Sequence, residues 1–184
     1  MLLCAVCCTA AYLVWRVHSK DRFISSSVVT QVEKLSRLVT VRYRIQRVVG
    51  LKEAKQPFGE ESILLMVEGE VQAGVDLQKV TEKDVRWTGA HSFRLSVPPP
   101  VIFNSFLDEG KTKVWDRQIT WWTPWVPFDP DLEHKARLEA LDDVRRAALG
   151  MGILDEAAKD AQSAIRDFFG ALGFTVEVKS RSLD

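Results

Sequence analysis

Two long stretches in the middle of the chain alternate between apolar and polar residues. The first runs from Val39 to Ile45. The second runs from Ile63 to Leu77, with apolar side chains at the odd positions and Glu68, Glu70, Gln72 and Asp76 at even ones. A period of two is typical of a half-buried strand. Such length in register predicts an antiparallel sheet with one face packed and the other in water.

Three shorter strands are predicted further along, at residues 85–87, 93–97 and 114–120. Turn-forming sequences precede the second and third of them, at Thr88–His91 and Asp108–Lys111. The run Pro98–Pro100 ends the second strand, because proline has no N–H to donate to a neighbouring strand.

The pattern changes to helical spacing after Phe128. Asp129 and Pro130 are suited to the start of a helix, whose apolar stripe comprises Leu138, Leu141, Val144 and Ala148 and whose end lies at Gly150–Gly152. A second helix ends near Gly173, and its predicted stripe is Leu154, Ala157, Ala161, Ala164, Ile165, Phe168 and Leu172. Residues 174–179 alternate as a final strand. The predicted fold is therefore α+β, an antiparallel sheet with two consecutive C-terminal helices and a returning final strand.

The N-terminal segment is apolar from Leu2 to Trp15 except for Thr9. As a helix it would span about 21 Å, which is shorter than the hydrocarbon core of about 30 Å. A membrane anchor over residues 1–18 is predicted, with a cleaved signal peptide or a buried core helix as alternatives. Residues 19–37 form a polar amphipathic stalk, and residues 38–180 form the α+β domain.

Charge and cysteine content exclude several classes of function. Basic and acidic residues both number 25, so no net field would attract nucleic acid, and we expect no nucleic-acid partner. The three cysteines lie within the apolar run, which leaves the folded part without a disulfide framework or a thiol nucleophile. Arg16, Lys20 and Arg22 follow that run and no basic residue precedes it. The positive-inside tendency by itself would therefore place the domain in the cytoplasm.

The sequence carries no recognisable catalytic, cofactor-binding or metal-binding motif. The three histidines are far apart, Gly110-Lys111-Thr112 lacks the leading glycine and the following helix of a phosphate-binding loop, and no nucleophile elbow is present. Glu68 and Glu70 could in principle share acid and base roles, although a solvated strand face is the simpler interpretation. We expect no cofactor and no metal, and Asp129 is interpreted as a helix cap rather than an ion ligand.

Aromatic residues are concentrated between Trp115 and Phe128. Pro124 and Pro127 interrupt any regular element there, so Trp122 and Trp125 are predicted to lie in a connection at the surface. Tryptophan suits contacts because it couples a large apolar face to one donor. The predicted contact surface comprises Trp121, Trp122, Trp125 and Phe128. The alternative is that Trp115 and Trp121 belong to the core of the strand.

Five stretches together resemble the domain-of-unknown-function 4230 family of bacterial proteins. They are Leu38–Tyr43, Ala73–Leu77, Val97–Ile102, Ala136–Arg137 and Gly152–Leu154. The resemblance covers residues 38–179 and implies an N-terminal membrane segment with the folded domain outside the cytoplasm. The tryptophan-rich stretch is not part of the family pattern, and no activity or catalytic residue is carried over with the resemblance.

These observations predict a single-pass, membrane-attached envelope domain that binds or scaffolds another component without catalysis. Its partners would be membrane lipid, through the N-terminal segment, and an envelope protein. The alternative is a carboxylate-dependent hydrolase that acts on envelope saccharides.

Overall fold

The computed structural model describes residues 28–32, 37–56, 59–120 and 127–181. Residues 28–32 are helical. The strands are β1 (Arg37–Ala54), β2 (Glu60–Asp76), β3 (Val85–Gly89), β4 (Ser92–Val97), β5 (Val101–Leu107), β6 (Lys113–Ile119) and β7 (Thr175–Ser180). The long helices are α1 (Leu132–Gly150) and α2 (Ile153–Ala171), and two short 3-10 helices occupy Leu77–Lys79 and Glu82–Asp84. The predicted α+β class is confirmed, with two consecutive C-terminal helices followed by a final strand.

The chain divides into two compact units. One contains Val39–Ala73 and Ile102–Glu156. Of the described residues, the other contains those up to Leu38, Gly74–Val101 and those from Ala157 onward. One sheet was predicted from the sequence, whereas the structure has a sheet of β1, β2, β5 and β6 and a second sheet of β3, β4 and β7.

In the unit that begins at Val39, β2 is the central strand. It pairs with β1, β5 and β6, and its pairing with β6 is antiparallel. The predicted parity of β2 is confirmed, because Ile63, Leu65 and Val67 are all buried. Helix α1 approaches this strand closely at Gly69, where an added Cβ would lie 2.6 Å from Val144 Cγ1. The absence of a side chain at Gly69 therefore sets the distance between helix and strand.

Strand β5 was not predicted from the sequence. Its residues Val101–Leu107 include none that is fully buried. The alternation of apolar and polar side chains that identifies a half-buried strand is therefore weak there, and only the pairing with β2 defines the strand.

The other unit is built around the β3–β4 hairpin that the sequence predicted. Strand β7 pairs with β4 in parallel, with Phe93 opposite Val176 and Leu95 opposite Val178. The sheet was predicted to be antiparallel, and the pairing of this final strand is an exception. A parallel pair requires a long crossover connection, and the many residues between β4 and β7 allow one. Phe169 of α2 packs edge-on against Phe93, with ring centroids 5.1 Å apart.

The apolar stripes of the helices differ in part from those predicted. Val144 and Ala148 are buried as predicted, but Leu138 is 53% exposed and Leu172 is 52% exposed. The buried positions are Leu132, Ala136, Ala140, Val144 and Ala148 in α1 and Ile153, Ala157, Ala161, Ile165 and Phe169 in α2. Both sets recur every four residues and contain several alanines. Small side chains permit the close approach seen at Gly69, so the tightly packed face of α1 is its alanine face rather than its leucine face.

Helix α1 also begins later than predicted. The residue at the N-cap is Asp131, and Asp129 lies before the helix. The Asp129 carboxylate accepts a hydrogen bond from the Asp131 amide at 2.9 Å, which forms an Asx turn leading into the helix.

Within the part of the chain that the structure describes, no helix is both long and apolar enough to cross a membrane. The predicted anchor, residues 1–18, lies outside the described residues and stays a prediction.

Two glycines at the end of α2 should respond oppositely to alanine. Gly173 has φ +82°, and Phe174 N–H donates to Phe169 O at 2.9 Å in a Schellman arrangement. Gly170 lies inside α2, and an added Cβ there meets nothing within 4 Å. We expect Gly173→Ala to destabilise by about 1 kcal/mol and Gly170→Ala to stabilise by about 0.5 to 1 kcal/mol. Thermal melting checks both, and a shift of the same sign for the two variants would contradict this account.

Candidate functional site

The predicted contact surface is described at Phe128, whereas Trp121, Trp122 and Trp125 lie outside the described residues. Phe128 is 50% exposed. Its ring lies over the Arg117 guanidinium, with Arg117 Cζ 4.7 Å from the ring centroid. One face of this aromatic side chain is therefore held by a cation in a favourable stacking contact.

Trp115 is not a core residue of its strand, contrary to the alternative interpretation. In the β2–β6 pair, Leu64 lies opposite Asp116 and the next residue, Leu65, lies opposite Val114. Trp115, between Val114 and Asp116, is therefore an extra residue in β6. This irregularity is a β-bulge, which bends a strand and re-aims its side chains. Trp115 is 72% exposed. Its neighbours Val114 and Asp116 are exposed as well, so this end of β6 presents a large aromatic side chain at the surface.

A buried carboxylate lies on β2 close to these aromatic residues. Glu61 is fully buried, its Oε1 accepts a hydrogen bond from Arg117 Nε at 2.8 Å, and the same oxygen lies 2.7 Å from Arg117 Nη2. Its Oε2 accepts from Lys55 Nζ at 2.8 Å and from the Asp129 amide at 3.0 Å. Glu61 therefore joins β2 to β6, to the residue after β1 and to the residues before α1.

The electrostatics of Glu61 follow from these contacts. Burial raises the pKa of its carboxyl, but hydrogen bonds from Lys55, the Asp129 amide and Arg117 together lower that pKa below its usual value. The group is therefore ionised at neutral pH, as its two cationic partners require.

The ends of the tryptophan-rich segment are both attached to neighbouring residues of β2. Before the segment, Thr120 N–H donates to Glu60 O at 3.0 Å and the Thr120 hydroxyl donates to the same oxygen at 2.8 Å. After it, the Asp129 amide donates to Glu61 and Asp129 O accepts from Arg117 Nη2. Thr120 and Asp129, on either side of Trp121–Val126, are thus held by hydrogen bonds to β2 and β6.

Asp129 connects this network to a second group of charges. Lys135 Nζ lies 2.8 Å from Glu53 Oε1 and 3.3 Å from Asp129 Oδ2. The hydrogen bond from the Asp131 amide, followed by that from Lys135, lowers the pKa of Asp129. The hydrogen bonds to Glu53 and Asp129 raise the pKa of Lys135. The charge of Lys135 is thus balanced by the carboxylates of Glu53 and Asp129. These contacts support the residues that lead into α1.

Glu68 and Glu70, the candidate catalytic pair, bind different cations. Glu68 lies 2.6 Å from Lys111 Nζ. Glu70 lies 3.0 Å from Arg42 Nε and 3.2 Å from Arg44 Nε. The hydrogen bond from Gln72 and the two arginines lower the pKa of Glu70. A general acid must keep its proton near neutral pH, so this environment does not favour that role for Glu70.

The remaining candidates for chemistry are the histidines, a metal site and the segment Gly110–Thr112. His91 and His134 are exposed, and His18 lies outside the described residues. In the described ranges, no group of three or more histidine, cysteine, aspartate or glutamate side chains is arranged to hold a metal ion. The amides of Lys111 and Thr112 donate to Asp108 O, so Gly110–Thr112 is a turn whose amides are already used.

Sequence reasoning missed Glu61 and Arg117. A usable signal was present for Glu61, because it falls at an odd position and therefore shares the buried parity of Ile63 and Leu65. A charged residue at an inward position of a strand requires buried partners. The sequence does not say which cations provide them.

Lowered carboxyl pKa values predict loss of stability in acid. Glu61, Glu70 and Asp129 all have pKa values below their usual ones in the folded chain. Their contribution to stability is complete above the unfolded-state values, near about 4, and is lost as the pH falls through the folded-state values. We expect a nearly constant free energy of unfolding from about pH 7 to about pH 5 and a decline below about pH 4. Urea denaturation across this range checks it, and stability that increases below pH 4 would contradict it.

Comparison with known proteins gives one positive result. No curated protein matches the chain significantly, and neither does any solved structure. A family model matches residues 30–179, which is most of the chain and includes every described strand apart from the last residue of β7. The chain therefore belongs to the family described as "Protein of unknown function (DUF4230)".

Proposed function

We propose that this chain is a membrane-attached binding module of the bacterial envelope. Its contact surface consists of Trp115 together with the residues predicted from the sequence, Trp121, Trp122, Trp125 and Phe128. The observation that carries the proposal is the exposure of Trp115, the bulged residue of β6, which is 72% exposed.

The physical support for a contact role is the cost of exposing aromatic surface. Trp115 is largely exposed and Phe128 is half exposed. Three further tryptophans lie between them in the sequence. Clustered exposed apolar side chains mark interaction sites more often than isolated ones do. Tryptophan and phenylalanine are also enriched at protein interfaces, where they supply much of the contact area.

A binding role fits the charges better than the alternative of a saccharide hydrolase. Such an enzyme needs one carboxylic acid that stays protonated and one carboxylate that stays ionised. Glu70 has a lowered pKa, which does not suit the protonated acid, and Glu68 forms an ion pair with Lys111 at 2.6 Å. We propose that the charged groups of this unit form ion pairs that stabilise the fold.

Attachment to the membrane is proposed from the apolar run Leu2–Trp15. The partner is proposed to be another envelope protein that the anchored domain meets in the plane of the membrane. The extracytoplasmic location follows from the family resemblance and belongs to the proposal.

Site-specific photocrosslinking tests this function in native membranes. A photoreactive phenylalanine analogue replaces Trp115. In the control variant the same analogue replaces Leu172, an apolar residue that is 52% exposed. After a high-salt wash, which does not release an apolar anchor, we expect the chain in the membrane pellet and a discrete crosslinked band from position 115 only. Equal crosslinking from the two positions, or no crosslinking from position 115, would contradict the proposed contact surface.

A further inference from the structure

The buried carboxylate, the arginine and the exposed aromatic ring form a continuous line of contacts. Glu61 is fully buried and holds Arg117 through two nitrogens, at 2.7 and 2.8 Å. The same guanidinium carries the Phe128 ring at 4.7 Å and donates to Asp129 O. Oε2 of Glu61 accepts from the Asp129 amide. The residue after Phe128 is therefore held at both its amide and its carbonyl.

The chemistry of this arrangement depends on arginine specifically. A guanidinium is planar and carries several donors, so Nε and Nη2 can both approach Glu61 Oε1 while Nη2 also donates to Asp129 O and the group contacts the Phe128 ring. An ammonium group could neutralise Glu61 but lacks the planar group that makes these contacts together. Lys55 already provides such a charge at 2.8 Å from Glu61 Oε2. Charge neutralisation alone therefore does not account for the geometry of Arg117.

From these contacts we propose that Glu61 and Arg117 are positioning residues for Phe128, because they fix the orientation of its ring. The inference rests on the proposed function, which makes Phe128 a contact residue. It adds that the exposed aromatic ring is presented to the partner in one arrangement by a buried pair that does not touch the partner. Ordering the ring before association reduces the entropy lost on binding.

The rival account is that the pair stabilises the fold without affecting recognition. Under that account, any variant that keeps the charge balance should leave Phe128 as it is. The two accounts therefore differ most clearly for a substitution that preserves the ion pair and removes only the planar group.

The test uses Arg117→Lys in the full chain, in detergent for exchange and in membranes for crosslinking. Lysine can still pair with Glu61 but loses the stacking face and the bond to Asp129 O. Arg94→Lys is the matched control, because Arg94 also binds a glutamate through Nε and Nη2, both at 2.7 Å from Glu177 Oε2, in the other unit. Hydrogen exchange is read on residues 127–131, where Pro127 and Pro130 leave the amides of Phe128, Asp129 and Asp131. Crosslinking is read from a photoreactive analogue at Phe128.

With Arg117→Lys we expect exchange at 127–131 to be about tenfold faster and crosslinking from position 128 to be about fivefold weaker, because the segment opens more often. Exchange in β7 should not change. Arg94→Lys should change neither reading. Glu61→Gln is the second variant, since its amide group would place a donor toward Lys55 or Arg117, and it should accelerate the same amides.

Unchanged exchange and unchanged crosslinking in a folded Arg117→Lys chain would overturn the proposal, whether or not Glu61→Gln folds. Faster exchange with unchanged crosslinking would also overturn it, because Phe128 would then be ordered by the pair without effect on contact. Absence of crosslinks from position 115 in the otherwise unaltered chain would instead refute the proposed function itself, and absence from position 128 alone would overturn the present proposal. The exchange data would still show whether the pair orders Phe128.

Discussion

Replacing Glu61 with alanine is expected to lower the free energy of unfolding by about 3 kcal/mol. The substitution leaves Arg117 and Lys55 without their buried counter-ion and removes the acceptor of the Asp129 amide. Removing one partner of a buried ion pair typically costs about 3 to 5 kcal/mol. The lower end applies because Arg117 and Lys55 keep some contact with water.

The control for this prediction is Glu177→Ala. Glu177 also pairs with an arginine, Arg94, but the side chain is 49% exposed. Exposed pairs typically contribute less than about 1 kcal/mol, so the control should lose far less stability than Glu61→Ala. Urea denaturation of the two variants measures the difference. Equal losses would show that burial of Glu61 has no energetic importance.

Gly69→Ala is expected to destabilise the chain by about 2 kcal/mol, within the range for an overpacked core. An alanine Cβ at this position would lie 2.6 Å from Val144 Cγ1 and 3.0 Å from Cγ2. Valine is branched at Cβ and has few rotamers, so it cannot move both methyl groups away. Helix α1 or strand β2 must then shift. Urea denaturation measures the loss.

Two further variants test the cause of this effect. Gly50→Ala is the matched control in β1, because its nearest atoms to an added Cβ are at 3.9 Å, and we expect it to change stability by less than about 0.5 kcal/mol. Val144→Ala removes the two colliding methyl groups. In the double variant we expect a favourable coupling of about 1 kcal/mol between the two positions. Strict additivity of the two losses would show that the collision is not their cause.

Periodicity in the sequence was sufficient for the strands whose faces differ in solvent exposure. In β2, one face is buried and the other carries Glu68, Glu70, Gln72 and Asp76, so the alternation from Ile63 to Leu77 predicted both the strand and its inward side. The β3–β4 hairpin was predicted for the same reason. Strand β5 has no fully buried residue and was missed, because an edge strand has little pattern to detect.

What the sequence determined by itself is the class of the fold, the order of most elements, the inward parity of β2 and the family. All of these depend on local spacing and on short motifs. Tertiary structure decided the features that depend on distant partners. The close approach at Gly69 selected the alanine face of α1 and left Leu138 exposed. The register between β2 and β6 left Trp115 as an extra, exposed residue. Arg117, 56 residues away in the chain, made a buried charge at Glu61 tolerable, and no local pattern records a partner at that separation.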